Sequence, residues 1–125
     1  MVVEQPYQQP KMVTFITKVA GVTFEGRQAY LKQIDVSDPV KIEPEPDNKY
    51  DANALKVLVA HNGQIWHVGY IPRDLAATIA PHIEGESFMA TIREIVGDFD
   101  TGDGDRASLG LRLTIEVPNP HYVER

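Results

Sequence analysis

The sequence contains no cysteine. That removes disulfides, a thiolate nucleophile and cysteine-ligated zinc, and it fits a reducing compartment, so a cytoplasmic location is expected. No apolar run approaches the roughly 20 residues that a membrane-spanning helix needs, so no membrane partner is expected. The first ten residues, Met-Val-Val-Glu-Gln-Pro-Tyr-Gln-Gln-Pro, have neither the basic start nor the apolar stretch of a secretory leader. Excess positive charge is also missing: 12 Lys and Arg face 18 Asp and Glu, a net charge of −6. Proteins that coat nucleic acid without selectivity are usually basic. Any nucleic-acid contact here must therefore be local, with few phosphates and a shape-defined pocket. A nucleophile elbow, a phosphate-cradling Gly loop and a metal pair are all lacking, so no enzymatic activity and no cofactor are expected.

What is present suits one mainly β domain. A chain of 125 residues buries roughly two-thirds of its unfolded surface and folds without staples. Met1 to Pro10 is Gln- and Pro-rich and reads as a flexible lead-in, residues 11–118 as the folded domain, and 119–125 as a loose tail. Val13 to Ala20 reads as a strand and Arg27 to Ile34 as a short helix. Val40 to Glu43 is a strand that runs into Pro44 and Pro46, which lack backbone donors and mark a sheet edge or loop. Ala54 to Ala60 and Ile65 to Ile71 flank Asn62-Gly63, a dipeptide suited to a tight hairpin turn. Pro72 opens a helix over Arg73 to Ala80, which Pro81 closes. Phe88 to Val96 is a strand whose inward face starts at Phe88 or its neighbour. Leu109 to Val117 alternates apolar and polar residues throughout. Six strands and two short helices predict a small, partly closed barrel of the OB-like or SH3-like sort; periodicity alone leaves an α+β sandwich open.

The stretch from Ile42 to Arg73 concentrates the chemistry. A stiff polar loop ends in Tyr50-Asp51, and the strand end Gly69-Tyr70-Ile71-Pro72-Arg73 leads into the second helix. If loop and strand pair, an aromatic ring, a carboxylate and a guanidinium gather at one end of a sheet, a grip for a ligand with a flat ring and a negative charge.

These residues carry a family resemblance. Gly21 with Phe24-Glu25-Gly26-Arg27-Gln28, then Glu45-Pro46-Asp47-Asn48-Lys49-Tyr50-Asp51-Ala52-Asn53-Ala54-Leu55-Lys56-Val57, then Val68-Gly69-Tyr70-Ile71-Pro72-Arg73-Asp74-Leu75-Ala76, resemble in series the HIRAN domain family. Such domains occur in fork-remodelling DNA translocases and as stand-alone bacterial or phage proteins; this chain looks like the latter. The resemblance implies an OB-like barrel that binds the 3′ end of single-stranded DNA and is linked to repair or replication proteins acting in trans. It implies that Tyr50 and Phe24 stack on terminal bases, that Asp51 accepts the 3′-hydroxyl, and that Arg73 meets a phosphate. Tyr70 stands where DNA-binding members can carry a histidine, and Thr23 where they can carry an arginine. The acidic charge, Thr23 and the stand-alone size favour an alternative: a protein-interaction module that keeps the barrel without binding DNA.

Each candidate also has a structural reading. Asp51 can cap a turn, Phe24 can be core, and Arg73 can be a solvated first-turn residue. Of the neighbours Trp66 and His67, one should face inward. The acidic segment Asp98-Phe99-Asp100-Thr101-Gly102-Asp103-Gly104-Asp105 invites calcium but fails the EF-hand pattern, with Asp103 at the sixth position and Leu109 at the twelfth. His61, His67, His82 and His121 have no ligand spacing, so no metal is expected.

Overall fold

A computed structural model describes residues 10–97 and 108–122. Most of the expected lead-in, the acidic segment from Asp98, and the last three residues of the expected tail lie outside the described residues.

The chain runs β1 (Met12–Lys18), α1 (Arg27–Leu31), β2 (Val40–Pro44), β3 (Leu55–His61), β4 (Gln64–Tyr70), α2 (Arg73–Ile79), a 3-10 turn at Ala80–His82, β5 (Met89–Val96) and β6 (Gly110–Pro118). The strands form two antiparallel three-stranded sheets, ordered β1-β6-β5 and β2-β3-β4. The six expected strands are therefore present, but the expected barrel does not close among the described residues. One bridge links the sheets: Ala20 and Tyr70 exchange backbone hydrogen bonds of 2.7 and 2.8 Å. On the other side the edge strand β2 ends at Pro44, which has no N–H with which to extend a ladder.

Alternation decides which residues go inside. In β6, Leu111, Leu113, Ile115 and Val117 are buried, and Leu55, Val57 and Val59 of β3 face them from the second sheet. Ala76 and Ile79 of α2 and Leu31 of α1 complete the core. Each fully buried aliphatic side chain of this size contributes about 1.5–3 kcal/mol. Phe88 packs on the core and Ile92 is buried, whereas Met89 is exposed, so the inward face of β5 begins at Phe88. A register shift between Ile92 and Glu94 then moves the inward position to Ile95.

The hairpin turns at Asn62-Gly63, with φ of 50° and 77°, the left-handed conformation that a tight hairpin of this type requires. A bulge follows. Val57 faces Gly69 but Leu58 faces His67, which leaves Val68 as the extra residue in β4. Trp66 shares the face of Val59 and stacks on Tyr30 of α1 at 5.0 Å. His67 lies on the opposite face, yet it is half-buried, because the ring of Tyr70 meets it edge-on at 4.8 Å. Beyond β6, Asn119 donates from its backbone to Lys11 and from its amide to Pro10, both at 2.8 Å.

Candidate functional site

Two irregular segments and one strand end make a cleft of about 850 Å³. The first segment is the turn from Gly21 to Arg27. It starts at the bridge to Tyr70 and reverses through Gly21, at φ 74°. Phe24 N–H donates to the Gly21 carbonyl and Arg27 N–H to that of Phe24. Gln28 fastens this turn to β6: its amide donates to the carbonyls of Val22 and Leu109, and its carbonyl accepts from Leu109 N–H at 2.7 Å. Val22 packs on the core, and Phe24 is left 66% exposed over the cleft.

The second segment is the loop from Glu45 to Ala54. Asn48 organises it. Its side-chain oxygen accepts from the N–H groups of Tyr50 and Asp51, at 2.8 and 3.0 Å, an Asx turn. Asp51 repeats the device by accepting from Asn53 N–H at 2.9 Å. The chain therefore turns outward at Tyr50, whose ring is 88% exposed.

The strand end supplies the floor. Tyr70 Oη donates to Glu45 Oε1 at 2.8 Å, and Asn48 Nδ2 donates to the same oxygen at 2.8 Å and to Tyr70 Oη at 3.4 Å. These bonds, the Asn48 amide first and the Tyr70 hydroxyl second, hold the Glu45 carboxyl below its ordinary value. Burial, followed by the hydrogen bond to Glu45, pushes the Tyr70 phenol up. His67 is lowered, first by burial and then by the charge of Arg27, and its Nε2 donates to the Gly69 carbonyl at 2.9 Å. Arg27 lies 5.3 Å over the Tyr70 ring, with Nη1 on the Gly21 carbonyl at 2.8 Å and Nη2 on Glu25 at 3.1 Å.

Phe24, Tyr50 and Tyr70 thus line one cleft, although they stand 20 to 46 positions apart in the chain. Asp51 and Arg73 do not line it. They pair with each other, Arg73 Nε lying 3.4 Å from Asp51 Oδ2. Sequence reasoning overlooked three members of the cleft: Arg27, Glu45 and Asn48. All three stand inside the quoted motif, and Asn48, two residues before an exposed aromatic in a Pro-bounded loop, carried a turn signal that could have found it. Among the described residues no group of His, Asp and Glu could hold a metal ion, and no helix is long and apolar enough to cross a membrane.

Two three-stranded sheets and a cleft lined by Phe24, Tyr50 and Tyr70 define a small, mainly β module. The family model of the HIRAN domain matches residues 12–117. The chain belongs to the HIRAN domain family, which is associated with DNA binding. No curated protein and no solved structure gave a significant match. The matched span includes every element from β1 to β6 except Pro118, the last residue of β6, and all the residues of the cleft.

Proposed function

We propose that this chain is a non-enzymatic module that binds the 3′-hydroxyl end of single-stranded DNA and acts beside separate repair or replication proteins. The observation that supports this most is the convergence of two solvent-exposed rings, Phe24 and Tyr50, on one cleft. Bases present π-faces whatever their identity, and stacking one on an aromatic side chain is worth about 1–3 kcal/mol. In this reading Phe24 and Tyr50 hold the terminal bases and Tyr70 forms the floor. Asp51, next to Tyr50, accepts the 3′-hydroxyl with the oxygen that now faces Arg73, and Arg73 turns to a backbone phosphate. A carboxylate in that position rejects a 3′-phosphate by charge and leaves a partner unpaired when the strand continues.

One observation favours the protein-interaction alternative. Glu25, Glu45 and Asp47 outnumber Arg27 and Lys49 in the cleft lining, so the cleft does not attract phosphates by charge alone. An end-binding site tolerates this better than a groove along the strand, because it meets few phosphates.

Fluorescence anisotropy of labelled oligonucleotides with a free 3′ end, a 3′-phosphate or only a free 5′ end tests the proposal. Binding should be confined to the free 3′-hydroxyl. Tyr50→Ala, at a surface position that the core does not use, should weaken it about 5- to 150-fold with the fold intact. Equal affinity for 3′-hydroxyl and 3′-phosphate strands would sink the proposal. Capture of a protein partner without any oligonucleotide binding would favour the alternative.

A further inference from the structure

Arg27 is the one charged side chain among the described residues that is buried, at 4% exposure. Burying a guanidinium is costly unless it is paired, and here its buried nitrogens are satisfied with a single carboxylate among their partners. Among the described residues its one carboxylate partner is Glu25, whose side chain is 78% exposed and touches it through a single nitrogen at 3.1 Å. Its other hydrogen bond goes to a neutral carbonyl, that of Gly21. The other carboxylates of the cleft do not reach it: Glu45 is engaged by Tyr70 and Asn48, and Asp47 makes no ion pair among the described residues.

Glu25 is unusual in its own right. Among the described residues only Glu25 and Asn62 have positive φ without being glycine, and Glu25 has φ 56°. Asn62 sits in a hairpin turn where Asn is at home. Glutamate has no such affinity for the left-handed region, whose occupation by a residue with a Cβ is strained. The tight turn from Gly21 to Arg27 holds it there, and the result is a carboxylate delivered onto a buried cation at the wall of a cleft. Strained residues of this kind cluster at ligand clamps.

We propose that Arg27 is the anion-binding group of the cleft and that Glu25 competes with the ligand for it. The ligand group is a phosphodiester of the single strand next to its terminal nucleotide, so the inference rests on the DNA reading above. On binding, a phosphate oxygen takes the Nη2 hydrogen bond, and the exposed Glu25 side chain swings into solvent, where it is readily hydrated. Arg27 remains anchored through Nη1 on Gly21 and against the Tyr70 ring, so the guanidinium needs no rearrangement. Arg rather than Lys suits such a site, because its planar fork binds a phosphate and a carbonyl at once.

The test uses a short oligonucleotide with a free 3′ end, the same oligonucleotide with its terminal linkages replaced by uncharged methylphosphonates, and inorganic pyrophosphate titrated by calorimetry. Glu25→Gln, on an exposed side chain, should tighten the phosphodiester strand and pyrophosphate about two- to fivefold, the magnitude of an exposed ion pair. It should leave the methylphosphonate strand unchanged. Asp47→Asn, which removes a cleft carboxylate that does not touch Arg27, should give a smaller gain. Arg27→Gln should lose the distinction between charged and uncharged strands; its thermal unfolding reports whether it folds, and Glu25→Gln decides if it does not. Equal gains from Glu25→Gln and Asp47→Asn, or an unchanged affinity in Glu25→Gln, would overturn the proposal. If the native chain binds no oligonucleotide yet Glu25→Gln tightens pyrophosphate, the DNA reading fails and the anion site stands.

Discussion

Asn48 uses both ends of its amide inside the cleft. Its oxygen fixes the backbone of Tyr50 and Asp51, and its nitrogen fixes the Glu45 carboxylate against Tyr70. Asn48→Ala therefore removes three short hydrogen bonds at once, one of them to a charged group, and should destabilise the chain by about 1–3 kcal/mol. Part of this loss is pH-dependent. The Glu45 carboxyl is held below its ordinary value of 4.5. A carboxyl depressed in the fold contributes stability that is present above its unfolded value and lost as pH falls through the folded one. The deficit of Asn48→Ala in urea unfolding should accordingly be largest at about pH 7 and shrink by about pH 3. Equal deficits at both would show that Glu45 has no share in it. The same residue explains what the sequence concealed at this scale. Asn48 and Glu45 look like ordinary loop residues, and Arg27 like an ordinary surface charge, because arginine is almost never fully buried. Only the bridge between Ala20 and Tyr70, which folds the early turn over the strand end, makes Arg27 part of the floor.

At the scale of elements, that bridge depends on a glycine. A Cβ on Gly69 would sit against the Ala20 carbonyl oxygen and 2.5 Å from Val19 Cγ1. Backbone and a packed β-branched side chain cannot yield cheaply. Gly69→Ala should therefore destabilise the protein by about 1–3 kcal/mol or more, as overpacking does, seen as a lower urea midpoint. It should also loosen the cleft, since Gly21, Tyr70 and Arg27 all hang on the bridge; a midpoint equal to that of the native chain would refute the close approach. The neighbouring bulge at Val68 was not legible, because Ile65 to Tyr70 mixes apolar and polar residues in a pattern that a bulge and a regular strand share. Where alternation was strong it sufficed: Leu111, Leu113, Ile115 and Val117 all face the core as the pattern required. The Asn62-Gly63 hairpin was equally readable, since its turn chemistry is local. Closure of the barrel was not readable, because it depends on which edges meet, and the edge of β2 ends at a proline.

For the whole molecule, the decisive quantity is charge against the size of the contact. A net charge of −6 opposes a polyanion at long range, so in the proposed reading affinity comes from stacking on Phe24 and Tyr50 and from close contacts at very few phosphates. The salt dependence of binding reads that number directly. For a single strand, log Kobs falls with log salt at a slope of about −0.7 per phosphate neutralised. If Arg27 and Arg73 each meet one phosphate, the slope measured by anisotropy should be about −1.4, and about −0.7 if only one of them does. A strand laid along a basic groove would give a much steeper line, and a slope near zero would mean that stacking acts alone. Lengthening the oligonucleotide on its 5′ side should then leave both affinity and slope unchanged once the end is in place, because the added phosphates meet an acidic molecule rather than a track. A slope that steepened with length would refute end recognition, since it would require cations beyond the cleft to engage the strand.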